Sequence, residues 1–108
     1  TLFVGSYSGD YEILPDGSSS PITFTNVAAT ATKMSNTQFE LAFSDPDVGT
    51  FTLDATVEDD GTDFEVAPIV LDGVTFDGDG FITPDDGFFK LNFDGDDGTF
   101  EQYFATKQ

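Results

Sequence analysis

Short apolar alternations separated by tight clusters of Asp and Gly constrain this chain to antiparallel β structure. Phe39, Leu41 and Phe43 alternate with Gln38, Glu40 and Ala42, and residues 45–49 (Asp-Pro-Asp-Val-Gly) follow as a turn. Phe51, Leu53, Ala55 and Val57 then alternate with Thr52, Asp54, Thr56 and Glu58. Residues 59–62 turn the chain into Phe64 and Val66. Phe89, Leu91 and Phe93 alternate with Lys90 and Asn92, and residues 94–98 lead into Phe100 and Phe104. Period-two patterning is the mark of strands with one buried face. Gly reaches positive φ without strain and Asp caps its own turn, so these clusters read as hairpin connections.

The remaining segments are less regular. Residues 2–7 and 11–14 read as two strands broken at 8–10, and residues 15–20 as a loop before a strand at 22–26. Residues 27–33 are the one helix candidate, and their Thr content favours a strand. Residues 35–37 make a further turn. Residues 73–83 are expected to form one strand with Val74, Phe76, Gly78, Gly80 and Ile82 inward and Thr75, Asp77, Asp79, Phe81 and Thr83 outward. The alternative makes 77–80 a turn. Eight or nine strands in one domain, residues 1–108, predict an all-β fold: a small antiparallel meander of about eight strands, closed as a barrel or folded as a sandwich. The expected interior holds Phe24, Phe39, Phe43, Phe51, Phe64, Phe76, Phe89, Phe93, Phe100 and Phe104.

Composition decides which functions such a fold can carry. Twenty-one acidic residues face three lysines, for a net charge of −18, with no His, Cys or Trp. That charge repels nucleic acid and anionic surfaces, so nucleic-acid binding is set aside. Without His or Cys the usual general base and thiolate nucleophile are missing. The adjacent acids Asp59/Asp60, Asp85/Asp86 and Asp96/Asp97 fall in turns, where no apolar pocket raises a carboxyl pKa, so no enzymatic activity is expected. No run of 18 apolar residues is present, so no transmembrane segment is predicted. A chain that opens on Thr1 without a signal segment reads as a processed secreted product or as a trimmed domain, and the first, with an extracellular or cell-surface location, is the expectation.

Two kinds of contact remain. Clustered Asp with nearby carbonyls suits Ca²⁺, and the candidate ligands are Asp94, Asp96 and Asp97, or Asp59, Asp60 and Asp63. Residues 77–86 begin like an EF-hand loop but lack the acid at its fifth position and the closing Glu. No cofactor is required by anything in the pattern; Ca²⁺ is the one ion it could accommodate, the alternative being free solvated aspartates. Phe81 and Phe88 fall on the outward parity of their strands beside the 84–87 turn, which marks them as candidate protein-contact residues for self-association or for other surface proteins.

Four short motifs carry a family resemblance: Phe-Val-Gly-Ser-Tyr at 3–7, Gly-Val-Thr-Phe at 73–76, Gly-Asp-Gly-Phe-Ile at 78–82 and the closing run 98–106. In these the chain resembles small secreted or lipid-anchored β-domains of Bacteroidota, similar in pattern to lipocalin-like β-barrels. The resemblance implies a barrel spanning nearly the whole chain and an extracellular setting. Residues 5–7 (Gly-Ser-Tyr) stand where such barrels carry Gly-x-Trp, whose ring plugs one end. The leading expectation is a non-enzymatic surface domain acting through protein contacts, as an adhesion module or as a subunit of a filament or coat. The alternatives are a lipocalin-like binding protein for a small apolar ligand, or a Ca²⁺-stabilised surface domain.

Overall fold

The structure, a computed structural model, describes residues 3–108. Eight strands follow in order: β1 (Gly5–Leu14), β2 (Ile22–Lys33), β3 (Gln38–Asp45), β4 (Gly49–Val57), β5 (Asp63–Leu71), β6 (Val74–Thr83), β7 (Phe88–Gly95) and β8 (Phe100–Lys107). Each pairs antiparallel with the next, and β8 returns to pair with β1, so the meander closes as a barrel rather than a sandwich. The segment 27–33 is strand, as its β-branched content predicts, and 73–83 is one strand from residue 74, with Phe76, Gly80 and Ile82 buried and Asp77 and Asp79 exposed.

Three sequence expectations are corrected. Residues 8–10 do not break the first strand: Gly5–Leu14 is continuous, with a register shift between Gly9 and Tyr11. A Cβ on Gly9 would sit 1.9 Å from the Phe104 carbonyl oxygen, so this glycine permits close approach of β1 and β8 instead of making a turn. The Leu2 part of that expectation lies outside the described residues. Residues 22–26 and 27–33 are one strand, bent by a bulge. Tyr11 pairs with Phe24 and Gly9 with Val27, so two β2 residues oppose one of β1, and Asn26 takes φ 56° there. The extra residue switches the inward set from Phe24 to Val27, Ala29 and Ala31.

The third correction concerns β8. Alternation puts Phe100 and Phe104 inside, yet Tyr103 and Ala105 are the buried residues of this strand. Register decides it. Leu91 pairs with Tyr103 and Phe89 with Ala105, and directly paired residues share a face of the sheet. Since Phe89, Leu91 and Phe93 fill the interior, their partners must point there too. Phe104 lies on the outer face with the Lys90 ammonium 5.1 Å from its ring centre.

The interior is an aromatic stack with no buried polar side chain left unpaired among the described residues. Phe3 lies 4.9 Å from Phe39 in parallel stacking and meets Phe64 edge-on at 5.4 Å. Phe64 stacks on Phe89, which touches Tyr7 at 4.6 Å. Full burial of each such ring contributes about 1.5–3 kcal/mol. The three tyrosines bring hydroxyls into this core, and each finds an acceptor. Tyr7 donates to the Phe3 carbonyl at 2.7 Å, Tyr103 donates to the Val27 carbonyl at 2.7 Å, and Tyr11 donates to Glu101. Burial pushes the Tyr7 hydroxyl up to about 12 and drives Tyr103 higher still, so both stay protonated donors.

A candidate binding cup at one mouth of the barrel

The two ends of the barrel differ. At the end where β1 begins, Phe3 is 2% exposed and caps the core over Phe39 and Phe64. At the other end, where the 15–21, 46–48, 72–73 and 96–99 connections gather, a cavity of about 430 Å³ opens to solvent. Small-molecule sites occupy about 300–1,000 Å³, so the space is of ligand size.

The cup follows from a local break in the ladder. On β5, Val66 pairs with Gly78 and Ile69 with Phe76, so Ala67 and Pro68 together oppose one residue of β6. Pro68 has no N–H to give to a neighbouring strand. The β4–β5 ladder holds only Ala55 with Val66, Thr56 with Glu65 and Val57 with Phe64. Residues 49–54 therefore stay with β3, residues 69–71 stay with β6, and the seam between β4 and β5 opens toward the mouth. The bulge also turns Ile69 and Leu71 to the inner face after Phe64 and Val66.

The walls are mixed, with an apolar side and a polar side made by Thr50, Asp72, Asp97, Thr99 and Glu101. Ile13, Val48, Phe51, Leu71 and Val74 are half-buried and pack on the core, and Phe76 is buried beneath them. One carboxylate reaches inside: Glu101, on the inward parity of β8 opposite Phe93 and Ile13. Burial raises its carboxyl above the usual Glu range; the Tyr11 hydroxyl opposes that shift, and the Asp97 charge adds to it. Tyr11 is driven far up by burial, then by the adjacent Glu101 charge and the hydrogen bond to it, so it remains O–H. Asp72 and Asp97 complete the lining with Thr50 and Thr99.

The candidate ligands and contact residues expected from the sequence lie elsewhere or at the rim. Asp94 stands exposed in β7 opposite Asp77 and Phe100. Asp96 accepts the Thr75 N–H at 3.2 Å, and Asp97 accepts the Thr99 N–H at 2.9 Å, which lowers the Asp97 carboxyl. Asp60 caps its turn by accepting the Asp63 and Thr62 N–H groups, each at 3.0 Å, and its carboxyl is lowered by them. Asp63 is raised chiefly by its hydrogen bond with Asp60, and Asp59 is exposed in the same turn. Among the described residues no three acids gather as a metal-binding group. Phe81 and Phe88 lie on the outer face of the β6–β7 hairpin, half-buried against each other with ring centres 6.2 Å apart.

Glu101, Tyr11 and the residues of the cup wall do not stand out in the sequence. Reading β8 through its phenylalanines places Glu101 outside, and the signal that corrects this is the 95–99 turn, which sets the register to β7. The fold and site define an eight-stranded antiparallel barrel, stoppered at one end and cupped at the other. No protein-family model matches the chain, and no curated protein matches it in sequence.

Proposed function

We infer that this domain is a non-catalytic binding module that takes the apolar body of a small ligand into the open mouth of its barrel. The observation that carries this is the asymmetry of the two ends: Phe3 closes one, while half-buried Ile13, Phe51, Leu71 and Val74 line an open cavity at the other. Pockets of this size, apolar with a few placed polar groups, are the usual setting for small-molecule recognition. A secreted or cell-surface location accords with the acidic coat and with the resemblance to lipocalin-like barrels. Titration with Nile red, a neutral apolar dye that the acidic surface does not repel, tests it. Saturable, one-to-one fluorescence enhancement that Leu71→Lys abolishes supports the cup, and the absence of enhancement at any protein concentration contradicts it.

A second reading, self-association through protein contacts, draws on the Phe81–Phe88 pair at 6.2 Å on the outer face. It has less behind it. Closure pairs every strand with two neighbours, and among the described residues the unpaired edges are the seam beyond Ala55 and Val66 and the β3-facing side of β2 before Ala29.

A further inference from the structure

We propose that the ligand of the cup carries a protonated amine, whose ammonium group is received by Glu101 while its apolar chain lies along Ile13, Phe51, Leu71 and Val74. This rests on the reading of the mouth as a ligand cup and adds the chemical class of its occupant.

The polar equipment of the cavity is one-sided. Glu101, Asp72 and Asp97 are the charged groups in its lining, and all three are acids. The three lysines belong to the other half of the barrel. Lys33 pairs with Phe39, Lys90 with Phe81 and Lys107 with Tyr7, each on the side of the Phe3 stopper. Tyr11 supplies the one buried O–H near the cup among the described residues, and that hydrogen is already given to Glu101. A ligand carboxylate entering here meets three like charges, against the Thr50 and Thr99 hydroxyls as side-chain donors. A neutral alcohol brings a single donor. A primary ammonium brings three donors and the opposite charge, and charge-assisted hydrogen bonds are the stronger kind.

The placement of Glu101 points the same way. A carboxylate half-removed from water and repelled by Asp97 gains most from a cation that enters beside it, and its raised pKa expresses that unmet need. The groups facing it are Tyr11 from β1, Asp97 and Thr99 from the β7–β8 turn and Asp72 from the β5–β6 turn, none of them cationic. Affinity for an amine therefore falls on acidification as Glu101 takes up its proton.

Calorimetric titration with octylammonium, 1-octanol and octanoate, each below its aggregation threshold and at about 0.15 M salt to damp surface attraction, tests the proposal. Ethylammonium serves as the control for charge alone. The expected result is one octylammonium per chain, bound roughly ten-fold or more tightly than 1-octanol, with octanoate weaker than both. Glu101→Gln should bring octylammonium and octanol to similar affinity. If that variant does not fold, the unaltered chain decides instead: octylammonium affinity should fall on acidification as Glu101 takes up its proton while 1-octanol affinity holds, and an octylammonium affinity that does not change with pH overturns the amine. Equal affinity for octylammonium and octanol in the unaltered chain overturns the amine while leaving the cup. Failure of all three octyl probes overturns the cup itself, and the amine with it. Ethylammonium binding as tightly as octylammonium shows attraction by surface charge and also overturns the proposal.

Discussion

Tyr11 donates its hydroxyl hydrogen to Glu101 across the β1–β8 seam, joining the aromatic core to the floor of the cup. The ladder places Tyr11 opposite Tyr103 and Glu101 opposite Ile13, so donor and acceptor are diagonal neighbours on the inner face. This pair holds a carboxylate in a half-buried place that a stability-driven sequence would fill with an apolar or neutral side chain.

That placement has a pH signature. Because burial raises the Glu101 carboxyl, the folded chain holds this proton more tightly than the unfolded chain does. Ionisation therefore weakens the fold, fully above the raised value and not at all below about 4.3, the ordinary Glu value. Glu101→Gln should melt higher than the unaltered chain near neutral pH, with the gap narrowing toward pH 4. A gap that widens on acidification contradicts this. Tyr11→Phe, which strips the donor from Glu101, should cost about 1–3 kcal/mol in denaturant unfolding.

The inner face of β6 gives a packing prediction. A Cβ on Gly80 would stand 2.1 Å from the Lys90 carbonyl oxygen and 2.5 Å from Phe64 Cζ, so Gly80→Ala forces both strand and ring to move. A cost of about 1–3 kcal/mol is expected. Phe64→Leu in the same chain should recover part of it, giving a coupling between the sites in a double-mutant cycle. Strict additivity would show that the ring is not what Gly80 accommodates.

Salt should stabilise the fold. A net charge of −18 on 108 residues repels itself, and the screening length falls from about 10 Å to 3 Å between 0.1 and 1 M salt. The melting temperature should rise across that range. A flat or falling trend means that specific pairs, not general repulsion, dominate the surface.

Phe81 and Phe88 offer the test of protein contact. Both are on the outer face, so Phe81→Asp with Phe88→Asp should leave the β-sheet circular dichroism intact and dissolve any oligomer seen by sizing. Unfolding of the double variant places the pair in the structural shell of the barrel instead.

Strand existence is legible in the sequence because alternation and Asp-Gly turns act locally; Phe39 to Phe43 and Phe89 to Phe93 are buried as their period demands. Facing is lost where a bulge or a register intervenes. Asn26 and the Ala67–Pro68 pair each insert a residue that reverses parity, and neither carries the Gly that would announce it. On β8 two interleaved sets compete, Phe100 with Phe104 and Tyr103 with Ala105. The bulkier pair loses to pairing with β7 and to the hydrogen bond that buries Tyr103. The cup is illegible for the same reason, since it depends on where β4 and β5 part and on which way Glu101 faces. Phe3, the stopper, gives no periodic signal because it precedes the first strand.

The most direct test of the cup is to map an apolar probe onto the backbone by two-dimensional amide NMR, adding 1-octanol to the labelled chain. Shifts should concentrate at Ile13, Thr50, Phe51, Leu71, Val74, Thr99 and Glu101, with the 34–37 and 58–62 connections at the stoppered end unmoved. Shifts centred on Phe81 and Phe88, or no shifts at any octanol concentration short of saturation, would contradict the cup.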